Sequence, residues 1–504
     1  MKRRLSISAV LVAASLSSPA RAEGTDQPDQ PTLGLSPGTP QINSLPGGMT
    51  PLYGQRPKDA DDWRFDYHGL LQLPFIAGIG SRDNPGPGQS KLVLHAPPVV
   101  PDDLPTFSHT GVVPTPYAQL NLSYGNSVVT GNVTILATTA SVASSYYDPL
   151  KQRGINDVFL SFHLPNLIKT ADFEVNVGAF TSRYGIMGEY DEGRYGTPII
   201  ARTNGAGETI LGRYALGDLI LQVEEGLQGQ SDKAPTGLVS DGWNGFGDPN
   251  VGTGFVGHGH LGVGYRGVGN LGLHYLVAWT ADDRANPTPL QPDGRINIAG
   301  ADVRLTMGRL GHLYLGGSYV TAHDARSIGR IVEVLNTQGG PGLMQEYLGP
   351  DSNGTGKLTI VAAQYDLSLG RLVRYPTPFA GDGPDIFVSL FGMQVGVDSS
   401  ENSYDMVKRK FGAIGTYSLL PWLATTLRYD RVQPHVGAEA RTFSVLSPAV
   451  LLRTGWQSHD QIAIQYSHWF NGSLTTVEAG YPPVEDPSVV PDANALSISA
   501  VCWW

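Results

Sequence analysis

From Trp63 onward the chain is a succession of segments of about ten residues in which apolar and polar side chains alternate. Phe65, Tyr67, Leu71 and Leu73 alternate with Arg64, Asp66, His68 and Gln72. Ala118, Leu120, Leu122 and Tyr124 alternate with Gln119, Asn121 and Ser123, and Leu271, Leu273, Tyr275 and Val277 with Gly272, His274 and Ala278. Side chains two apart share a face of a strand, so each segment is one apolar ribbon backed by one polar or small ribbon. Past Leu16 no apolar run reaches the roughly 18 residues of a spanning helix. A membrane crossing would therefore need strands closed into a barrel.

The segments number about eighteen, with centres near Leu71, Leu120, Val133, Leu160, Val175, Leu211, Leu221, Leu261, Tyr275, Val303, Leu315, Val361, Val388, Ala413, Leu427, Val450, Ile464 and Ile498. Their connections sort by length. Gly125-Asn126-Ser127, Leu216-Gly217-Asp218, Gly267-Val268-Gly269-Asn270, Gly308-Arg309-Leu310-Gly311 and Leu420-Pro421-Trp422 carry tight-turn chemistry. The intervening connections near 80–113, 141–154, 182–208, 227–253, 322–356 and 472–494 are long. This alternation gathers the long loops at one end of a meander, as in outer-membrane barrels, and a soluble sandwich has no reason for it. The expected fold is an all-β, transmembrane antiparallel β-barrel of about 18 strands over residues 62–504, with short periplasmic turns and long external loops. Residues 370–384 are too long for the short side, which leaves 16 strands as the alternative.

The first 22 residues read as an export signal: Lys2, Arg3 and Arg4, then the apolar stretch Ile7 to Leu16, then Ala20-Arg21-Ala22 before Glu23. Residues 23–61 hold Pro28, Pro31, Pro37, Pro40, Pro46, Pro51 and Pro57 and read as a leader or periplasmic extension. One cysteine excludes an internal disulfide framework, and a formal net charge of -11 makes an extended nucleic-acid surface improbable.

The last segment, Leu496-Ser497-Ile498-Ser499-Ala500-Val501-Cys502-Trp503-Trp504, keeps Leu496, Ile498, Ala500, Cys502 and Trp504 on its apolar ribbon. A final strand ending in an aromatic residue resembles the assembly signal of Gram-negative outer-membrane barrels. The resemblance to porin-like barrels covers the signal peptide, the strand pattern and this tail; Trp503 departs from it at a position that is more often polar. It implies the cell outer membrane, with the lipid bilayer, lipopolysaccharide and the barrel assembly machinery as partners, and it implies homotrimers. The function it implies is passive diffusion of small polar solutes or ions, without enzymatic activity, cofactor or metal.

Strand parity assigns Arg64, Asp66, Glu174, Arg213, Glu224, Arg266, Asp302, Arg304, Arg428 and Asp430 to the pore wall. By the same resemblance the third external connection, 182–208, folds into the lumen. Glu189, Asp191 and Glu192 would then face Arg194 and Arg202 across a constriction. His258, His260 and His274 share a polar ribbon but have no neighbouring carboxylate or cysteine in sequence, so wall polarity is the simpler reading than metal binding. No GxSxG, HExxH or GxxxxGK[ST] motif occurs. Two rivals to the channel are a transporter of hydrophobic compounds, which would need an apolar lumen path, and a secreted soluble β-protein that binds carbohydrate through Trp63, Trp243, Trp279 and Trp456.

Overall fold

A computed structural model of the chain describes residues 62–79, 117–140, 150–168, 171–183, 202–230, 253–281, 294–324, 348, 354–374, 384–401, 405–433, 436, 442–455, 460–471 and 493–503. The chain divides into Met1–Gln30 and Pro31–Trp504, and every described residue belongs to the second unit. The signal-peptide reading, the whole Pro-rich leader (23–61) and Trp504 lie outside the described residues.

Eighteen strands follow one another: β1 (Arg64–Ile79), β2 (Tyr117–Gly125), β3 (Val129–Ala140), β4 (Leu150–Ile168), β5 (Ala171–Arg183), β6 (Arg202–Leu216), β7 (Leu219–Gln230), β8 (Thr253–Tyr265), β9 (Gly269–Ala281), β10 (Arg295–Thr306), β11 (His312–His323), β12 (Gly356–Ser368), β13 (Asp385–Ser399), β14 (Met406–Leu420), β15 (Leu423–Gln433), β16 (Phe443–Leu452), β17 (Asp460–Asn471) and β18 (Ala493–Trp503). Each pairs antiparallel with its neighbours in the chain. The last pairs with the first through Leu71↔Cys502, Leu73↔Ala500 and Phe75↔Ile498, which closes the ring. Closure leaves no sheet edge, so every strand has hydrogen-bonding partners on both sides. All eighteen centres expected from the alternation fall inside a strand.

The turns form as their residues dictate. Between β2 and β3 the Asn126 side-chain oxygen accepts the backbone N–H groups of Val128 and Val129, both at 2.9 Å. Between β6 and β7, Gly217 has φ 64°, a conformation open to glycine and costly for a residue with a Cβ. The overlong connection after β12 starts with a short helix, α1 (Leu369–Arg374). The Asp385 carboxylate holds it, accepting the Gly370 N–H at 2.6 Å and the Ser368 hydroxyl. The length anomaly is thus an insertion on the short side, and the strand number stays at eighteen.

The two ribbons part as expected. Outward positions are apolar and exposed, among them Leu73 (50%), Val223 (53%), Leu271 (51%), Leu273 (55%), Val361 (56%) and Leu427 (54%). Inward positions hold Asn121, Thr134, Glu224, Asp302 and Asp430, all enclosed. A soluble protein would bury the first set and hydrate the second, whereas a transmembrane barrel surrounded by acyl chains does the reverse. Glu225 is an outward carboxylate and accepts the Tyr275 hydroxyl at 2.6 Å. Gly259 lies between them, and a Cβ there would stand 2.3 Å from the Tyr275 ring, so the missing side chain lets the tyrosine cross strand β8.

The inward face is not polar throughout. Towards the long-loop end of β8–β17 it carries Val256, Leu276, Ala278, Ile296, Ile298, Val320, Leu358, Ile360, Val395, Phe443, Val445 and Trp469 in one enclosed cluster. Leu348, from the connection between β11 and β12, belongs to the same cluster, and its carbonyl accepts the Ser399 hydroxyl. The expectation of a uniformly polar inner ribbon therefore holds only towards the short turns. On β9 the alternation breaks at Leu276, where an apolar residue takes an inward position.

Candidate functional site

The inner wall is built from rows of residues brought level by the strand register. On β2–β6 a chain of uncharged polar groups runs beside the charged Asp157, Glu174 and Arg213. Thr134 donates to Asn121 at 3.0 Å, Asn132 to Ser161 at 3.1 Å, Ser161 to Asn176 at 2.6 Å, and Asn176 to Thr209 at 3.3 Å. Amides and hydroxyls serve here because each can both donate and accept, so the belt continues from strand to strand.

Across β7–β11 the belt turns ionisable. Register aligns Glu224 with His260, His260 with His274, His274 with Gly300, and Gly300 with Ser318. Glu224 reaches His258 at 3.9 Å. Asp302, one inward position further along β10, lies 3.2 Å from His274 Nδ1 and 3.7 Å from His260 Nε2. His274 Nε2 lies 2.9 Å from Ser318 Oγ, having crossed the whole width of β10. Gly300 permits this crossing, since a Cβ there would fall 2.3 Å from His274 Nε2 and 2.3 Å from the Gly317 carbonyl oxygen. Replacing Gly300 by alanine is expected to cost about 1–3 kcal/mol by overpacking. Urea titration in lipid vesicles measures it, and an unchanged midpoint would show that the ring does not need that space.

Ser318, His274 and Asp302 share the connectivity of a hydrolase triad. Their exposures are 4%, 3% and 0%, which gives a substrate carbonyl no approach to the serine oxygen. With the proton on Nδ1, His274 donates to Asp302 and accepts from Ser318, and the set braces three adjacent strands. Among the described residues no group of three or more His, Cys, Asp or Glu could hold a metal ion.

On β14–β17 the charges are Lys408, Lys410, Arg428 and Asp430, all inward and enclosed. Arg428 and Asp430 share one face of β15 and meet through Nε–Oδ2 at 2.6 Å and Nη2–Oδ1 at 2.9 Å. The guanidinium carbon also stands 5.3 Å from the centre of the Phe391 ring.

Of the wall residues expected from parity, Glu174, Arg213, Glu224, Asp302, Arg304, Arg428 and Asp430 occupy inward positions. Asp66 takes the inward register opposite Ser123. Arg64 is exposed at the start of β1 and pairs with Asp62. Arg266 is not on a strand: it sits exposed in the turn after β8, where its backbone N–H donates to the Asp218 carbonyl at 2.8 Å. Parity counting carried it one residue past the end of the strand. Glu189, Asp191, Glu192 and Arg194 lie outside the described residues, and Arg202 opens β6 opposite Arg183. Ser318 was not among the expected residues; nothing near it in sequence marks it, because its partners come from two other strands.

Solvent reaches the inner wall unevenly. From β8 to β17 the inward side chains are mostly enclosed, while Glu174, Asn176, Arg213 and Gln222 on β5–β7 remain partly exposed.

No family model matches the chain, and neither does any curated protein sequence. Among solved structures it is similar to OccAB3 of Acinetobacter baumannii, at 10% identity and a TM-score of 0.41 over 87% of this chain and 99% of that one. It is also similar to the outer membrane channel DcaP of Acinetobacter baumannii, at 13% identity and a TM-score of 0.38 over 90% of this chain and 100% of that one. The third is OccK11 (OpdR) of Pseudomonas aeruginosa, at 8% identity and a TM-score of 0.36 over 89% and 97%.

Proposed function

We propose that this chain is an outer-membrane, porin-like channel for the passive diffusion of small polar solutes or ions. The observation that carries the reading is the sorting of faces in a closed ring: apolar and exposed outside, hydrogen-bonded polar and charged groups inside. Eighteen strands enclose a lumen too wide for their own side chains to fill, so the interior can hold a passage. The passage follows the wall of β5–β7, where Glu174, Asn176, Arg213 and Gln222 remain accessible. A carboxylate and a guanidinium on that wall set a transverse field that orients dipolar solutes and discriminates among ions. In this reading the connection around 182–208 narrows the bore, with Glu189, Asp191 and Glu192 opposite Arg194 and Arg202.

The purified protein is expected to give stepwise conductance in a planar bilayer. Correctly folded protein that leaves the bilayer silent removes the channel reading. Arg213→Glu is expected to shift the reversal potential in a salt gradient towards cation preference, and an unmoved potential takes β5–β7 out of the path.

One observation favours a second reading. The enclosed apolar cluster at the long-loop end of β8–β17 suits a transporter whose solutes carry a hydrophobic part. Competition of such solutes with ion current, weakened by Phe443→Ser, separates the two.

A further inference from the structure

The outer face of the barrel carries a carboxylate inside its apolar belt. Glu225 is exposed on β7, six positions along from Leu219 at the short turn. A tilted strand gains about 2.5 Å of height per residue, so Glu225 stands roughly 15 Å above that turn, well inside an apolar band about 25 Å tall. Val223 and Leu227 flank it on the same face, and Ile210 is level with it on β6. Among the described residues its hydrogen-bond donor is the Tyr275 hydroxyl. Glu208, two residues beyond Ile210 on β6 and level with Leu227, is a second exposed carboxylate on this face. On β8, Gly257 is also level with Leu227, and a Cβ there would meet only the Trp279 ring, at 3.9 Å, so a neighbour can approach closely.

The other side of the ring carries the opposite charge. Arg431 faces outward on β15, level with Phe411, whose side chain is 39% exposed. Among the described residues it donates to the Ser444 hydroxyl, from Nη1 at 3.4 Å. One long bond to a neutral hydroxyl does not neutralise a guanidinium. Arg431 is eight positions along from Leu423 at its short turn, and Glu208 is eight positions from Leu216 at its own. In two barrels standing the same way in a membrane, Arg431 of one therefore lies at the depth of Glu208 and close to that of Glu225 in the other.

We propose that the β6–β7 face of one barrel docks on the β15 face of a second copy of this chain, placing Arg431 of that copy between Glu208 and Glu225. Acyl chains cannot solvate either charge, and each face supplies the countercharge that the other lacks. The strands β7 and β15 are eight apart in a ring of eighteen, nearly opposite each other. The contact is heterologous and does not close on itself: each barrel receives a neighbour on either side, and copies line up in a row. A closed trimer would need its two contact faces about three strands apart, so the row is a different assembly from a porin-like homotrimer. The inference requires the barrel to cross a membrane and is independent of whether it conducts.

The test uses the full chain in phosphatidylcholine vesicles, with Cys502→Ser as background and a short bis-maleimide reagent. Val223→Cys and Leu427→Cys each lie four positions above a short turn, one on each face. Val223→Cys mixed with Val361→Cys, which lies on β12 outside the contact, gives the yield of random collision. Val223→Cys mixed with Leu427→Cys is expected to exceed that yield and to stop at dimers, while either variant alone stays at it. The chain with both cysteines is expected to give a ladder extending past three copies. Arg431→Gln, and separately Glu208→Gln with Glu225→Gln, should slow cross-linking about tenfold or more. Dimers from one single variant alone indicate a symmetric contact and overturn the proposal. A ladder that ends at three copies indicates a closed trimer and overturns it, as does a mixed yield no greater than collision. Rates unchanged by the glutamine variants, with circular dichroism showing them folded, remove the charges and the proposal with them. Single-channel conductance of the glutamine variants should match wild type, so failure here is distinct from failure of the channel reading.

Discussion

Replacing Arg428 by alanine is expected to destabilise the folded barrel by about 3–5 kcal/mol, because it removes the bidentate partner of an enclosed carboxylate. Asp430 is 0% exposed and Arg428 5%, so water does not make good the loss. The pair is local, two residues apart on one strand, and its geometry at 2.6 and 2.9 Å is close. Lost packing of the guanidinium against Phe391 adds to the penalty. Replacing both residues together, Arg428→Met with Asp430→Leu, should recover most of the stability, since a buried ion pair contributes little net over apolar groups of similar volume. Urea titration of the vesicle-reconstituted protein measures both. A single variant as stable as wild type would mean that the Asp430 carboxylate is held by its other contacts alone.

The second large effect concerns the outer surface. Leu273 is 55% exposed on β9, level with Leu261 on β8 and Ala301 on β10. In a soluble protein an exposed leucine tolerates arginine. On a lipid-facing strand the same change is expected to cost about 2–4 kcal/mol near the bilayer midplane. Leu273→Phe should be nearly neutral. Comparing the two in vesicles decides what solvent surrounds the barrel: a tolerated arginine would place water there and remove the membrane reading, with every role assigned to the inner wall.

Much of the architecture is legible in the sequence because it is written at short range. A period of two is a property of consecutive residues, so the faces of β1, β2 and β9 follow from Phe65, Tyr124 and Leu273 standing opposite Asp66, Ser123 and His274. The turn at Asn126 depends on residues within three positions of it. Closure was also foreseeable, since an unpaired strand edge has no place among acyl chains. Parity failed at one end: Arg266 lies just beyond β8, and counting by twos contains nothing that says where a strand stops.

Legible in the sequence by itself were about eighteen strands with sixteen left open, the side that most of their residues face, and the end at which the chain turns tightly. Only the tertiary structure decided which inward groups meet. Asp302 touches His274 and His260, and His274 reaches Ser318, through the register of four separate strands. The place of Leu348 in the apolar cluster likewise arises from segments far apart in the chain. Alternation fixes a face but not a height, and a slip of two residues along any pair keeps every face while exchanging every neighbour. That height is set by the cooperative register of the whole closed ring, to which no single stretch of sequence holds the key.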